Sequence, residues 1–359
     1  MLPYLFLFAF FAVGAFMTSG KAALAPVGGA DTDERHWVAS TGFMFLLGAA
    51  MIASLIGFRF EVGADWPAYV GMWQWAGRVD MATVLERGDP GYFFLNWLAQ
   101  QAGLGVWAVN LACGSVFSWG LYRFAKVQPL PWLTIVVAMP YLVTVVALGY
   151  SRQAVAIGFL LAGLASLSSG GSLIRFAVYA VLAALFHKTA VVMLPLVIFS
   201  TNRSRLLAIV GGFLLVYALY TSLLADDVKS LVKNYVEAKY SSQGALIRVL
   251  LCFIPALLFF KFRDRMQFDP VQMKFWRLSS LAALGLMVAL FVIPSSTAVD
   301  RVALYILPLQ LAVLSRLPLA MPGPLTAVGV VAYSLLIQLV WLLYAAHASY
   351  WVPYNFYPF

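Results

Sequence analysis

The chain alternates between long apolar segments and short polar connections. About ten of the apolar segments approach the roughly 20 residues that a helix needs to cross a bilayer. They run continuously apolar, without the period-two alternation of membrane-barrel strands, so each is predicted to be a helix. The predicted crossings are residues 3–19, 37–56, 104–125, 132–149, 151–168, 205–224, 246–262, 276–294, 301–316 and 323–345.

Residues 173–200 do not fit this series of simple crossings. The segment is long enough to span, but His187 and Lys188 interrupt it between two apolar halves. Non-helical backbone at membrane depth is tolerated where it lines a cavity, so the sequence predicts a broken or re-entrant segment beside a site. A single long tilted helix is the alternative.

Basic residues predict the orientation of the chain. The loop KFRDRMQFDPVQMKFWR, residues 261–277, carries more Lys and Arg than acids, which is typical of the cytoplasmic side. Counting crossings from this loop places both termini outside. The whole chain, residues 1–359, is predicted to form one transmembrane domain, with an outer loop at 57–90 and an outer amphipathic segment at 225–245 covering the site.

Composition agrees with a polytopic, all-α integral membrane protein. Of the 359 residues, 63% are hydrophobic and 10% are charged, and the mean hydropathy is +0.89. The net charge of +9 reflects Lys and Arg in cytoplasmic loops, so no nucleic-acid partner is predicted. Cys113 and Cys252 lie in apolar segments and indicate neither a disulfide framework nor a zinc site.

Cationic side chains recur inside or beside the apolar segments. Arg152 opens one helix, Lys188 follows His187, and Arg248 and Arg301 lie near the starts of two later helices. An arginine at the bilayer centre costs roughly 2.5 to 3.5 kcal/mol on insertion scales, so such a residue usually faces a cavity or an anion. An anionic substrate is therefore predicted, with snorkelling to lipid headgroups as the alternative for each cation.

The outer loop at 57–90 combines Trp and Tyr with carboxylates. Aromatic rings can stack on the apolar face of a sugar while carboxylates accept its hydroxyl protons, although an interfacial aromatic belt looks similar. The sequence contains no dense carboxylate cluster at membrane depth and no His-rich ligand set. Neither a metal nor another cofactor is therefore predicted.

Six motifs in order resemble the EpsG family of membrane proteins, which is close to the Wzy-type polymerases of surface polysaccharides. They are GADWPAYVGMW, DPGYFFLNWL, GYSRQAVAIGF, LFHKTAVVMLPL, YSSQGALIRVL and DRVALYILPLQLAVLSRLP. Trp66 serves as the second aromatic of the first motif. Asp89 stands where that family often has Glu.

The resemblance implies a glycosyltransferase of the bacterial inner membrane, working on the periplasmic face with a fold like that of GT-C-like membrane glycosyltransferases. It would join undecaprenyl-diphosphate-linked oligosaccharide repeat units into an O-antigen or exopolysaccharide, with inversion at the anomeric carbon. The lipid-linked glycan would be both donor and acceptor. Membrane lipids and a chain-length regulator are the other candidate partners.

The candidate site residues fall into three groups. The cations expected at the diphosphate are Arg152 first and Arg301 second, with Lys188, Arg248 and Arg59 in support. The residues expected at the sugars are Trp66, Tyr69, Asp89, Tyr92 and Gln153.

A base must take the proton of the attacking hydroxyl. Asp65 is the first choice and His187 the second. Asp300 is the third, with the alternative roles of orienting Arg301 or capping its helix. Glu61 and Asp89 stay open.

Other functions also fit cations in a membrane cavity. A lipid-linked sugar exporter would place polar groups at many depths rather than at one face. A membrane O-acyltransferase would use His187, but its acyl-CoA would approach from the cytoplasm. An O-antigen ligase has similar chemistry, and the sequence separates it poorly from a polymerase.

Overall fold

The computed structural model describes residues 1–24, 42–200, 205–220, 244–293 and 296–358, and this part of the chain is mostly helical. Residues 225–243 of the predicted outer amphipathic segment lie outside the described residues. The helices of the first half are α1 (Leu2–Leu24), α2 (Phe43–Gly57), α3 (Trp66–Ala76), α4 (Met81–Leu85), α5 (Pro90–Gln101), α6 (Val106–Lys126), α7 (Pro131–Ala138), α8 (Ser151–Ser168) and α9 (Leu173–Phe186).

The second half continues with helices that are interrupted more often. Proline opens several of them, where its missing N–H costs no helical hydrogen bond. The helices are α10 (Met193–Ser200), α11 (Arg205–Tyr220), α12 (Ala245–Phe262), α13 (Pro270–Val292), α14 (Ser296–Ile306), α15 (Pro308–Leu314), α16 (Leu317–Ala320) and α17 (Pro324–Tyr344).

Helix α8 packs extensively against both α6 and α9. Helices α6 and α8 approach so closely that a Cβ on Gly120 would lie 1.9 Å from the carbonyl oxygen of Gly158. Small residues at such crossings allow tight helix packing within a membrane. The first turn of α8, which carries Arg152, is therefore held on a rigid support.

Five helical stretches are long and apolar enough to cross a membrane within the described residues. They are Ser151–Ser168, Ala245–Arg265, Pro270–Val292, Val299–Ala320 and Leu325–Tyr344. The predicted all-helical membrane fold is confirmed, whereas the count of about ten crossings exceeds these five. At a rise of 1.5 Å per residue, a helix such as α2, with 15 residues, is shorter than the hydrocarbon core.

The predicted break near His187 is confirmed. Helix α9 ends at Phe186, His187 is extended with φ −158° and ψ 108°, and a 3₁₀-helix, Lys188–Val192, leads into α10. A second irregularity was not predicted: α7 runs on into a π-helix, Met139–Ala147. Such π segments often lie at functional sites.

The C-terminal residues form a strap over the loop that precedes α3. Strand β1 (Arg59–Phe60) pairs antiparallel with β2 (Asn355–Phe356). Trp351 is buried, and its Nε1 donates to the Thr144 carbonyl at 2.7 Å. The backbone N–H of Gly63 donates to the Tyr350 carbonyl at 2.8 Å. The C-terminal residues therefore fix the loop that carries Asp65.

Candidate active site

One cavity of about 1170 Å³ collects most of the side chains that the sequence singled out. Its walls come from the loop before α3, the start of α5, the start of α8, the break after α9, and helices α12, α14 and α17. The predicted residues that line it are Asp65, Tyr69, Asp89, Arg152, Gln153, His187, Lys188, Arg248, Asp300 and Arg301.

Arg152 meets the cavity from the first turn of α8. Its Nη1 donates to Asp89 Oδ2 at 2.8 Å, and the backbone N–H of Lys188 donates to Asp89 Oδ1 at 3.2 Å. Asp89 thus ties α8 to the break beside His187. It adopts a left-handed conformation, φ 62° and ψ 55°, which is uncommon outside glycine and favoured by Asp and Asn.

The Asp89 carboxylate is partly buried and contacts protein groups. Burial raises the pKa of this carboxyl, and the positive charges of Arg152 and Lys188 act in the opposite direction. The carboxylate that was predicted to meet a sugar is therefore engaged with Arg152 and with the Lys188 backbone. This arrangement orients the guanidinium of Arg152 towards the cavity.

A second ion pair joins Arg248 of α12 to Asp300 of α14. The Arg248 guanidinium also lies over the Tyr150 ring, 5.9 Å from its centroid. Asp300 was the third candidate for the base, with orienting Arg301 or capping its helix as the alternative roles. It lies inside α14, which begins at Ser296, so it does not cap that helix.

Arg301 is exposed to the cavity. In the part of the chain that the structure describes, no hydrogen bond or ion pair holds its guanidinium. The Arg301 carbonyl accepts a hydrogen bond from Gln153 Nε2 at 3.4 Å, which links α14 to α8. A guanidinium in such a position can bind an incoming anion through its planar set of N–H donors.

Asp65 precedes α3, and its side chain makes no hydrogen bond that caps the helix. Burial raises the pKa of the Asp65 carboxyl, and the charges of Arg152, Arg59 and Arg301 oppose that effect. Tyr69 lies one helical turn further on and lines the same cavity. Asp65 is thus a half-buried carboxylate beside the cationic group, a setting typical of a tuned acid or base.

His187 lines the cavity at the break, with its Nδ1 3.0 Å from the hydroxyl of Tyr305. Tyr305 was not predicted from the sequence, because it lies inside an apolar helix. A hydrogen bond to one ring nitrogen fixes the ring and decides which nitrogen carries the proton. The Tyr305 hydroxyl is therefore the side-chain partner of His187 in this structure.

Three predicted residues do not line the cavity. Arg59 is fully buried and donates to the Ala147 carbonyl, Asn110 and Ser151 at 3.0, 3.2 and 2.7 Å. These bonds fix the chain on both sides of Tyr150, so Arg59 supports the start of α8 from behind. Arg59 was expected at the diphosphate, but the structure places its guanidinium outside the cavity lining, fully buried and bonded to protein acceptors.

Trp66 and Tyr92 are the other two. Trp66 is buried beside Arg59, whose guanidinium lies 6.0 Å from its ring centroid. Tyr92 is fully buried and contacts Tyr69 with ring centroids 5.6 Å apart. Both rings pack behind the cavity rather than stacking on a sugar, because the helices that carry them turn these faces inward.

Several lining residues had no signal in the sequence. One of them, Tyr141, belongs to the π-helix, and five more lie in α17 or just after it. In an apolar helix, sequence spacing alone does not distinguish a side chain that faces a cavity from one that faces lipid. The additional residues include Tyr141, Leu336, Val340, Trp341, Tyr344 and His347.

The structure defines a helical membrane protein with a cavity lined by cations, carboxylates and a histidine. Within the described residues, no three His, Cys, Asp or Glu side chains come together as a metal-binding group would require. The sequence model of the EpsG family matches residues 42–356, so the chain belongs to the EpsG family.

That membership is consistent with the Wzy-type polysaccharide polymerases and indicates a role in making a polysaccharide. No curated protein and no solved structure matches the chain. The expected likeness to GT-C-like glycosyltransferases therefore stays a prediction.

Proposed function

We propose that this protein polymerises undecaprenyl-diphosphate-linked oligosaccharide repeat units at the periplasmic face of the bacterial inner membrane. The observation that carries the proposal is the convergence of Arg152, Arg301, Lys188 and Arg248 on one cavity that also contains Asp65 and His187. Cations are needed where a diphosphate leaves, and a base is needed where a hydroxyl attacks. The EpsG match supports the choice of a glycan as the group transferred.

The proposed reaction is a single displacement. The oxygen of an acceptor hydroxyl attacks the anomeric carbon of the donor glycan, and the bond from that carbon to the diphosphate oxygen breaks. The electron pair leaves with the diphosphate, and the hydroxyl proton passes to the base. One displacement of this kind inverts the anomeric centre.

Arg152 and Arg301 are the proposed partners of the leaving diphosphate. Asp89 fixes the direction of the Arg152 guanidinium through a 2.8 Å bond, which leaves other N–H groups of its planar fork for phosphate oxygens. Arg301 is exposed to the cavity. Donors held in place before the reaction are worth more than mobile ones, because they need no reorganisation as charge develops.

Asp65 is the proposed base. Its raised pKa makes it a stronger proton acceptor than an exposed carboxylate, and the nearby arginines keep its ionised form accessible. His187 is the second candidate. Its Nδ1 meets Tyr305, which leaves Nε2 for a substrate.

The test is polymerisation by purified protein in nanodiscs, with the host's own lipid-linked repeat unit, with and without EDTA. We expect a ladder of lengthened glycans that survives EDTA, since the proposed displacement uses protein cations. The Arg152→Gln variant should lose the ladder, while the matched Arg175→Gln variant, on the predicted cytoplasmic side, should keep it.

Two other outcomes would contradict the proposal. Movement of the intact lipid-linked unit across a sealed bilayer, without a ladder, would identify an exporter. When lipid A is added to the same assay, transfer of one glycan to it without chain growth would identify an O-antigen ligase. A ladder that disappears with EDTA and returns with a divalent cation would overturn the metal-independent mechanism alone.

A further inference from the structure

The cavity contains side chains around Arg248 that the proposed displacement does not use at the reacting atoms. The charges that act on Asp65 belong to Arg152, Arg59 and Arg301. Arg248 is not among them; it is paired with Asp300 and lies close to Tyr150. We call the region around Arg248, Tyr141 and Trp341 the Arg248 end.

Three buried groups at the Arg248 end, two of which (Tyr141 and Arg248) lie beside each other, donate no hydrogen bond to an acceptor in the described residues. They are the Tyr141 hydroxyl, Nε1 of Trp341 and Nε of Arg248. The Tyr141 and Trp341 rings contact each other, with centroids 5.9 Å apart, and all three residues line the cavity. Buried donors are normally satisfied, so these three indicate a ligand that brings acceptor oxygens.

The same end of the cavity is apolar beside the donors. Leu336 and Val340 of α17 and Ile247 of α12 line it, and they are 60%, 44% and 48% exposed on the molecular surface. In a membrane such side chains meet lipid tails. A ligand here can therefore place an oxygen-rich anionic group on the donors and a long hydrocarbon chain along α17.

We propose that the Arg248 end is a binding subsite for the polyprenyl diphosphate of a lipid-linked substrate. Tyr141, Trp341 and Arg248 donate to phosphate oxygens, and the polyprenyl chain lies against Leu336 and Val340. The inference rests on the proposed function for the identity of the lipid. It adds the side of the molecule from which that lipid binds, together with two residues that have no role in the displacement.

The test is a binding measurement that needs no turnover. Purified protein in detergent is titrated calorimetrically with inorganic pyrophosphate and with geranyl, farnesyl and geranylgeranyl diphosphate. We expect affinity to rise with chain length, by about tenfold or more across the series, because each added isoprene unit buries apolar surface. Phosphatidylglycerol, which offers a lipid phosphate without the diphosphate, should compete poorly.

Two pairs of variants separate the contribution of the hydrogen-bond donors to binding from the contribution of the polyprenyl chain. Tyr141→Phe should lower the affinity for every diphosphate by about tenfold, because it removes one hydroxyl donor to an anion. Tyr333→Phe on α17 lies outside the cavity and should leave these affinities unchanged. Leu336→Ala should flatten the dependence on chain length and leave pyrophosphate binding unchanged. Leu343→Ala is the matched control, since Leu343 is exposed on the same helix but does not line the cavity.

The outcomes distinguish this inference from the proposed function. If a glycan ladder forms while Tyr141→Phe and Leu336→Ala bind diphosphates like the unchanged protein, the subsite is wrong and the polymerase stands. If the variants lose binding as expected but no ladder forms under any condition, the subsite stands and the polymerase is wrong. Binding of pyrophosphate or phosphatidylglycerol as tightly as geranylgeranyl diphosphate would also overturn the subsite.

Discussion

At the scale of single residues, the site depends on how each cation is held. Arg152 is fixed by Asp89, Arg248 by Asp300, and Arg301 is exposed in the cavity. The sequence identified all three as cations at membrane depth, because such residues need a partner or a polar cavity. It did not identify their partners, since Asp89 lies just before α5 and Arg152 lies in α8, and the two meet only in the folded chain.

Replacement of Arg152 by Lys should reduce polymerisation by about 100-fold or more. A lysine keeps the charge but offers a point-like ammonium, which cannot hold Asp89 and a phosphate in one planar arrangement. Polymer length on gels and turnover in nanodiscs measure the effect. Arg123→Lys on α6, which does not line the cavity, should behave like the unchanged protein; polymer of normal length from Arg152→Lys would remove Arg152 from the site.

Replacement of Asp65 by Asn should reduce turnover by roughly 100- to 10,000-fold and leave binding of the lipid-linked donor intact. In the wild-type protein, turnover should increase as the pH rises through the pKa of Asp65, because only the ionised carboxylate accepts a proton. Burial raises that pKa, so turnover should already decline at mildly acidic pH. A pH–rate profile checks this direction. Near-normal turnover in the Asn variant would move the role of base to His187.

At the scale of elements, the site depends on two irregular segments and a strap. The sequence predicted the break at His187, because charged residues interrupted an apolar segment. It did not predict the π-helix or the β1–β2 pairing, since neither leaves a periodic pattern in the residues. Both elements depend on contacts that are distant along the chain, such as Trp351 with Thr144.

Replacement of Gly63 by Ala should disturb the loop that carries Asp65. Gly63 has φ +98°, and a Cβ there would lie 2.5 Å from the Leu148 carbonyl oxygen, so the loop must shift. We expect a large loss of turnover in a protein that still accumulates in the membrane. Gly71→Ala on α3, where a Cβ meets nothing within 4 Å, should have little effect; equal turnover in both variants would show that the loop position is unimportant.

Replacement of Arg59 by Lys should lower stability rather than binding. An ammonium cannot satisfy the Ala147 carbonyl, Asn110 and Ser151 together, and the buried groups left without partners cost about 3 kcal/mol. A lower thermal unfolding midpoint in detergent is the expected result. Arg78→Lys, at an exposed position, should leave the midpoint unchanged, and a loss of diphosphate affinity at normal stability would return Arg59 to the binding site.

At the scale of the whole molecule, the cavity gives the protein its function only if it opens on the correct side. The predicted orientation rests on the basic loop at 261–277. Cysteine labelling in intact cells can check it, because Cys113 and Cys252 are buried and give little background. Glu86→Cys should react with a membrane-impermeant thiol reagent and Arg265→Cys should not; the reverse pattern would place the cavity on the cytoplasmic side.

The sequence by itself determined the class of the protein, most helix positions, the break at His187 and the cations that the structure brings to the cavity. These follow from hydropathy and from the cost of charge in lipid, both of which are local properties of the chain. Only the tertiary structure decided that Asp89 holds Arg152, that Arg59 is a buried support, and that Tyr141 and Trp341 share the cavity. These assignments depend on which faces of distant helices meet, and an apolar helix carries no periodic signal that separates a lipid-facing side from a cavity-facing one.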